Sequence, residues 1–470
     1  MKRWKEKGII LLLLLFTVFI IVGCSSEGST EGNEGENTEI ENENNNGESE
    51  SENNNDNNNG NNNENEDEDE GEDLEPVTLL LMTHWSDEQF ERDFKGHVEE
   101  AFDHITLEHV SASVDDIEEE IFAKEIYPDI IMTSVSDYLL DMDLLLDLNP
   151  LIEEFDFDLD RLEPSVVEYL KDQSNDGELN GLPFIRPEYA LVYNPDVFDA
   201  FGVDYPTDDM TWDEVIDLAK DVTGEIDGEQ YRGLYPGDFM MRQIEDSQLV
   251  DPDTDEPIID GNEGFKVFLE RLEEIYSISG NMPESAEDMV NESGLNLIKD
   301  EHTAMAADRA FAHAYAGPAA ERGLGFDFVT FPKWGEEFGD YGPNEPGNGL
   351  VATTTSEHPE EAFRVIEFLL SDDYQTWLSE NGDLPAVITE EVRDAFLTGN
   401  EHYEEILSEK NLEAITSVEA APLPDTSPYE KDILEDVDYL ESIYEGMDVN
   451  SIIREMQDKA EGNAKNIRSK

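Results

Sequence analysis

Aromatic rings and short hydrogen-bonding side chains recur in this sequence wherever an apolar run ends. Trp85 follows Val77-Thr78-Leu79-Leu80-Leu81-Met82, and Ser134, Ser136 and Asp137 follow Asp129-Ile130-Ile131-Met132. Tyr189 and Tyr193 flank Ala190-Leu191-Val192. Tyr235 lies in Gly233-Leu234-Tyr235-Pro236-Gly237, and Asp308 and Phe311 follow Ala304-Met305-Ala306-Ala307. If these runs are strands of open α/β sheets, the residues stand beyond strand ends, where such sheets bind ligands. Rings beside hydroxyls and carboxylates match sugars, which are apolar on their C–H faces and polar at their rims. Any one ring is better explained by core packing; the recurrence is what points to a site.

Catalytic signatures are poor. The chain has no Gly-x-Ser-x-Gly elbow, no P-loop and no His-Glu-x-x-His. Paired carboxylates could hydrolyse glycosides, but with 117 Asp and Glu in 470 residues such pairs arise everywhere and identify nothing. The eight histidines fall into no ligand spacing. Asp251-Pro252-Asp253-Thr254-Asp255 begins like a calcium loop. However, Glu256 stands where glycine is needed and Asn262 where the closing acid belongs, so chance is the better account. No cofactor and no metal is implied.

The one cysteine, Cys24, has a defined context. Lys2, Arg3, Lys5 and Lys7 precede an apolar run over 9–22, which ends in Gly23-Cys24. A basic start, an apolar core and a small residue before the cut make a secretory signal. The run is short of the roughly 20 residues that span a bilayer. With cysteine at the cut, the segment resembles a bacterial lipobox: 1–23 would be removed and Cys24 would carry lipid. The chain is therefore expected at the cell membrane, facing outward and held by lipid alone. No second cysteine is present for a disulfide, so stability must come from a core.

Residues 24–75 are rich in Asn, Glu, Gly and Ser, with 20 acids and no Lys or Arg from Glu27 to Glu75. Such a segment cannot bury enough apolar surface to order itself and reads as an extended tether. The net charge of the whole chain is −89. Nucleic acid and anionic lipid surfaces are excluded as partners, because both need clustered Lys and Arg. Dispersed acids at this density fit a saline habitat, where short Debye lengths relieve self-repulsion.

The elements that would position the rings are legible in outline. Runs at 77–82, 105–110 and 129–132 read as strands, with an amphipathic stretch from Asp87 to Phe102. This alternation argues for a parallel sheet with crossover helices. Thr211-Trp212-Asp213-Glu214 is a capping box before the stripe Val215, Leu218, Ala219, Val222. Pro359 suits a helical first turn ahead of Ala362, Phe363, Ile366 and Leu370. The last ninety residues read as helical, with Ile452, Ile453 and Met456 on one face. There is no internal repeat.

Several segments together resemble the family 1 extracellular solute-binding proteins of ABC importers. They are Tyr127-Pro128-Asp129-Ile130-Ile131-Met132; Leu179-Asn180-Gly181-Leu182-Pro183-Phe184 running to Val192-Tyr193-Asn194-Pro195; Pro206 with Met210-Thr211-Trp212-Asp213-Glu214; His302-Thr303-Ala304-Met305; and Gly347-Asn348-Gly349 before His358-Pro359-Glu360-Glu361-Ala362-Phe363. Each is weak alone; their order behind a lipobox is specific. The resemblance implies an α/β, two-lobed clamp of the type II periplasmic-binding-protein kind, closing on solute by hinge motion. One lobe would comprise 76–187 and 333–377, the other 188–332 and 378–470, with hinges at Arg186-Pro187-Glu188 and Phe331-Pro332.

By position, Trp85, Ser134, Ser136 and Asp137 would face the solute from the first lobe. Tyr189, Tyr235, Asp308 and Phe311 would face it from the second, with Asn348 in the Gly-rich turn. Where many sugar binders have Gly-x-Trp, this chain has Asp308-Arg309-Ala310-Phe311. Arg186 and Arg309 are scarce cations that could pair with an acidic sugar, although structural salt bridges explain them better. The expected protein is a monomeric, non-enzymatic receptor that delivers a sugar to a permease. The alternatives are a binder of oligopeptide, polyamine or iron chelate, an extracellular glycosidase, or a structural lipoprotein without a cleft.

Overall fold

The computed structural model describes residues 74–468, apart from 114–116, 118–121, 134–138, 141, 173–176, 238, 246, 292, 337 and 346. The expected signal, Cys24 and nearly all of the tether lie outside the described residues, as do Ser134, Ser136 and Asp137. Eleven strands are described: β1 (Val77–Thr83), β2 (Ile105–Ser111), β3 (Ile130–Thr133), β4 (Leu182–Arg186), β5 (Tyr189–Tyr193), β6 (Gly224–Ile226), β7 (Glu229–Tyr235), β8 (Thr303–Arg309), β9 (Asp327–Val329), β10 (Asn348–Ala352) and β11 (Leu384–Pro385).

They form two sheets. The first runs β11-β4-β10-β3-β1-β2 and the second β6-β7-β8-β5-β9. Neither is wholly parallel. β1 pairs in parallel with β2 and β3, and β7 with β8. β10 is antiparallel to β3 and β4, and β5 is antiparallel to β8 and β9. The parallel expectation holds for β1, β2 and β3, which follow one another through crossovers. It fails at β10, which enters from a distant part of the chain between β3 and β4.

The second sheet shows why its strands are apolar throughout. Tyr189, Leu191 and Tyr193 of β5 join one core cluster, while Ala190 and Val192 join another. Successive side chains alternate between faces, so both faces of this sheet are covered and neither can be polar. The first sheet has its own cluster. Phe90, Phe94 and Val98 contribute to it from one helical stretch, and Phe363, Ile366 and Leu369 from helix Pro359–Leu369.

The 87–101 stretch begins at a Ser86 capping box with Gln89 and widens into a π-turn over Glu91–Lys95. The Thr211 box forms as read: Glu214 N donates to Thr211 Oγ1 at 3.4 Å, and Thr211 N donates to Glu214 Oε2 at 2.9 Å.

The C-terminal ninety residues differ from expectation. Only Val449–Arg468 is a long helix, burying Ile452, Ile453 and Met456 in the second sheet's core. The remainder is short helices and turns, because Pro385, Pro422, Pro424 and Pro428 cannot donate within a helix. Leu384–Pro385, grouped with the second lobe by the sequence reading, pairs with β4 on the first sheet.

Candidate functional site

The chain passes from the first sheet to the second through only two residues, Pro187 and Glu188, between β4 and β5. It returns over 330–347, between β9 and β10. Gly347 makes this return fit: its φ is +66°, and a Cβ there would lie 2.1 Å from the Ile185 carbonyl oxygen. Only glycine takes that conformation and approach at no steric cost.

A buried glutamine ties the return segment to the loop after β7. Gln243 Oε1 accepts from Trp212 Nε1 at 2.8 Å, and its Nε2 donates to the Pro332 and Tyr341 carbonyls at 2.7 and 2.6 Å. Asn344 N donates to the Arg242 carbonyl at 2.8 Å, and Trp334 Nε1 donates to the Met240 carbonyl at 3.1 Å. The loop 239–243 is thus clamped onto the crossing.

This clamp assembles a cluster around Phe239. The Tyr189 ring lies 4.8 Å from it, and the Arg242 and Arg309 guanidiniums stand 5.7 and 5.8 Å from its centroid. Glu345 accepts from the Tyr189 hydroxyl and from Arg309 Nη2. Burial, reinforced by the Glu345 charge, pushes the Tyr189 hydroxyl pKa up, so it remains a donor. Tyr189 and Arg309 are opposite one another on β5 and β8, which is why a strand end and a loop converge here.

The other expected site residues are placed as follows. Trp85 is half-buried, its ring 5.4 Å from Phe94. Tyr235 is buried in the second sheet's core. The Asp308 carboxylate accepts from Gly294 N and Arg309 N, both at 2.7 Å, and so is tied to the start of helix Gly294–Lys299, whose cap is Ser293. Phe311 is exposed at a φ of +38°. That backbone is strained for a bulky residue, and such strain gathers at ligand sites. Asn348 is half-buried at a register shift between β10 and β4. Arg186 is committed within the protein: its Nε donates to the Pro385 carbonyl at 2.8 Å, and Nη1 meets Glu163 at 3.4 Å.

Sequence reasoning missed Phe239, Arg242, Gln243 and Glu345. They lie in loops without periodicity; the scarcity of arginine was the one signal that could have found Arg242.

Glu188, in the two-residue crossing, is buried, and its Oε2 has no hydrogen-bond partner. Burial first, then the nearby Asp383 charge, pushes its pKa up to about 8, against a hydrogen bond from Ala312 N and the Arg309 charge. Asp383 is itself pushed up to about 6 by burial and Asp93.

Glu163, Arg186, Tyr189, Glu345, Leu384 and Ile415 enclose a space of about 40 Å³ where the two sheets' segments meet. That is far below the ~300 Å³ of a small-ligand pocket. Larger hollows of about 410 and about 800 Å³ contain none of the expected site residues. The calcium-like segment is an ordinary turn: Asp251 Oδ1 accepts from Asp253 N, Thr254 N and Thr254 Oγ1. Among the described residues no cluster of three or more His, Cys, Asp or Glu could hold a metal. Among them, too, no helix is long and apolar enough to cross a membrane.

Two sheets, each with its own core and linked by the crossings at Pro187–Glu188 and 330–347, define a two-lobed α/β fold. The model of the bacterial extracellular solute-binding proteins matches residues 89–405, well over half the chain, and the chain belongs to that family. It is a family of binding proteins, not of enzymes.

Solved structures with the same fold include three sugar proteins. A Rhizobium etli sugar transporter in an open conformation is 19% identical, with a TM-score of 0.62, covering 82% of this chain and 99% of that one. The sugar-binding protein MalE of Xanthomonas citri is 17% identical, with a TM-score of 0.64, covering 83% and 98%. Maltose-bound MalE3 of T. maritima is 16% identical, with a TM-score of 0.60, covering 82% and 98%. No curated protein matches the sequence.

Proposed function

We propose that this chain is the lipid-anchored, outward-facing receptor of an ABC importer and that it carries a carbohydrate to a membrane permease. The observation that carries this reading is the cluster at the crossing between the two sheets: Phe239 supplies a half-buried ring, while Arg242, Arg309 and Glu345 supply hydrogen-bonding groups beside it. The sugar-protein relatives support it. Solute lies between the lobes, and the crossings at Pro187–Glu188 and at 330–347 are the hinges. We take the lobes expected from the sequence, with 378–392 moved to the first, because Leu378, Ala386, Val387 and Val392 pack in the first sheet's core, and with Trp334 moved to the second, whose core it joins. The 40 Å³ space is too small for a sugar, so the rings and guanidiniums outward of it make the contact. The receptor acts as a monomer, and Cys24 holds it to the membrane.

Calorimetry and small-angle scattering with a sugar panel test this. A bound sugar shrinks the particle and is recovered chemically intact, and Trp85→Ala and Phe311→Ala weaken its binding. Turnover of the sugar, or unchanged binding in both variants, overturns the reading. Cys24→Ser should release the protein from membranes without altering its melting temperature; continued retention would refute the anchor.

A further inference from the structure

In a chain with 28 Lys and Arg against 117 Asp and Glu, two guanidiniums converging on one phenylalanine ring call for a physical reason. Arg242 and Arg309 do so at Phe239, and their side chains remain 43% and 36% exposed. Arg309 is paired with Glu345, whereas Arg242 is not committed in the way Arg186 is. Glu345 Oε2 meets Arg309 at 2.5 Å, but Arg242 stands 3.8 Å from Oε1, beyond hydrogen-bonding distance. One carboxylate, already accepting from the Tyr189 hydroxyl, therefore serves two guanidiniums.

Both cations are pre-positioned. Arg309 ends β8, and Arg242 sits in the loop that Gln243, Trp334 and Asn344 clamp. A protein this acidic repels anions at long range. Anion binding needs fixed guanidiniums, which pair with carboxylates in a bidentate fork at little ordering cost.

We propose that the solute is an acidic carbohydrate, a uronate-bearing oligosaccharide, whose carboxylate is held by Arg242 and Arg309 while Glu345 acts as the counter-ion it partly displaces. This rests on the carbohydrate reading above and names its substrate class. The half-buried Phe239 ring borders the same spot and serves the sugar's C–H face. A neutral sugar leaves the guanidiniums without that partner.

Calorimetry on the full chain at fixed salt provides the test, using di- and trigalacturonate and di- and trimannuronate against galactobiose, mannobiose and maltotriose. Uronates should bind, with neutral sugars weaker by roughly tenfold or more. Arg242→Gln and Arg309→Gln should each weaken uronate binding by roughly tenfold. Glu345→Gln removes the competing carboxylate and should tighten uronate binding, a result that a purely structural ion pair would not produce. If Glu345→Gln weakens binding, or if either arginine variant melts as the parent does and binds uronate at full strength, the inference fails. Neutral sugars binding as well as or better than uronates overturns it and leaves the carbohydrate reading standing. Silence from both sets overturns both.

Discussion

Glu188 and Gln243 show how single side chains set the behaviour of the crossing. Glu188 is an acid whose pKa in the fold, about 8, lies above its ordinary 4.5. The folded state therefore binds the proton more tightly than the unfolded chain does. The resulting stability is present below about 4.5 and is lost as pH rises through about 8. Glu188→Gln, a permanently neutral replacement, should lack that decline and melt above the parent at pH 9, by roughly a few degrees. Melting curves from pH 5 to 9 check this; parallel pH profiles for the two proteins would show that the carboxyl is already ionised at neutral pH. Gln243 is wholly buried and serves three partners. Gln243→Leu strands the Trp212 indole N–H and two carbonyls, at a cost on the order of 3 kcal/mol. Denaturant unfolding measures that loss. Solute affinity should fall with it, because the loop carrying Phe239 and Arg242 is released.

The elements around the site owe their placement to turn and cap chemistry. Thr211 and Glu214 start helix Trp212–Asp221, whose first residue packs against Phe331 at 5.7 Å and reaches Gln243. Thr211→Ala should cost about 1 kcal/mol, seen as an earlier unfolding midpoint with an unchanged slope. Gly347 carries a stricter demand. Gly347→Ala places a methyl group against the Ile185 carbonyl in a left-handed backbone, and it should destabilise by about 2 kcal/mol or more. Wild-type stability in that variant would mean that the return to β10 can take another path. Apart from Phe311 and Leu397, every described non-glycine residue at positive φ is Asp or Glu. Short acidic side chains tolerate turns, so the acidic composition helps make the loops. Phe311, two residues beyond β8, is held by the backbone around it: its carbonyl accepts from Ala314 N at 2.8 Å, and Ala310 N donates to the Glu188 carbonyl at 2.9 Å.

For the molecule as a whole, charge dominates. A net −89 places like charges within reach of one another over most of the surface, and the scarce cations are spent on local pairs such as Arg161–Asp372 and Arg271–Asp213. Exposed pairs of this kind contribute only about 0–1 kcal/mol each, too little to offset the repulsion. Screening should do what pairing cannot. The melting temperature should rise from low to molar NaCl, as the Debye length falls to about 3 Å. A flat or falling profile in calorimetric melts would mean that the acids are not an adaptation to salt.

What the sequence determined by itself is the set of features encoded by neighbouring residues. The cap at Thr211, the apolar strands at the starts of both sheets and the helix at Pro359 were all readable, because propensity and periodicity act within a few residues. The order of short motifs also pointed to the two-lobed α/β class. The tertiary structure alone decided where distant segments meet. It inserted β10 between β3 and β4, and it put Leu384–Pro385 on the first sheet. It also tied Asp308 to the start of helix Gly294–Lys299 and buried Tyr235, two residues that look equally fit for solute when read along the chain. Phe239, Arg242 and Glu345 became neighbours only because a buried glutamine holds the 330–347 crossing against the loop after β7 and a glycine at φ +66° lets its end pass close to β4. Such contacts span about a hundred residues of chain, and no local pattern records them, because their energy comes from burial and hydrogen bonds that exist only once both sheets have formed.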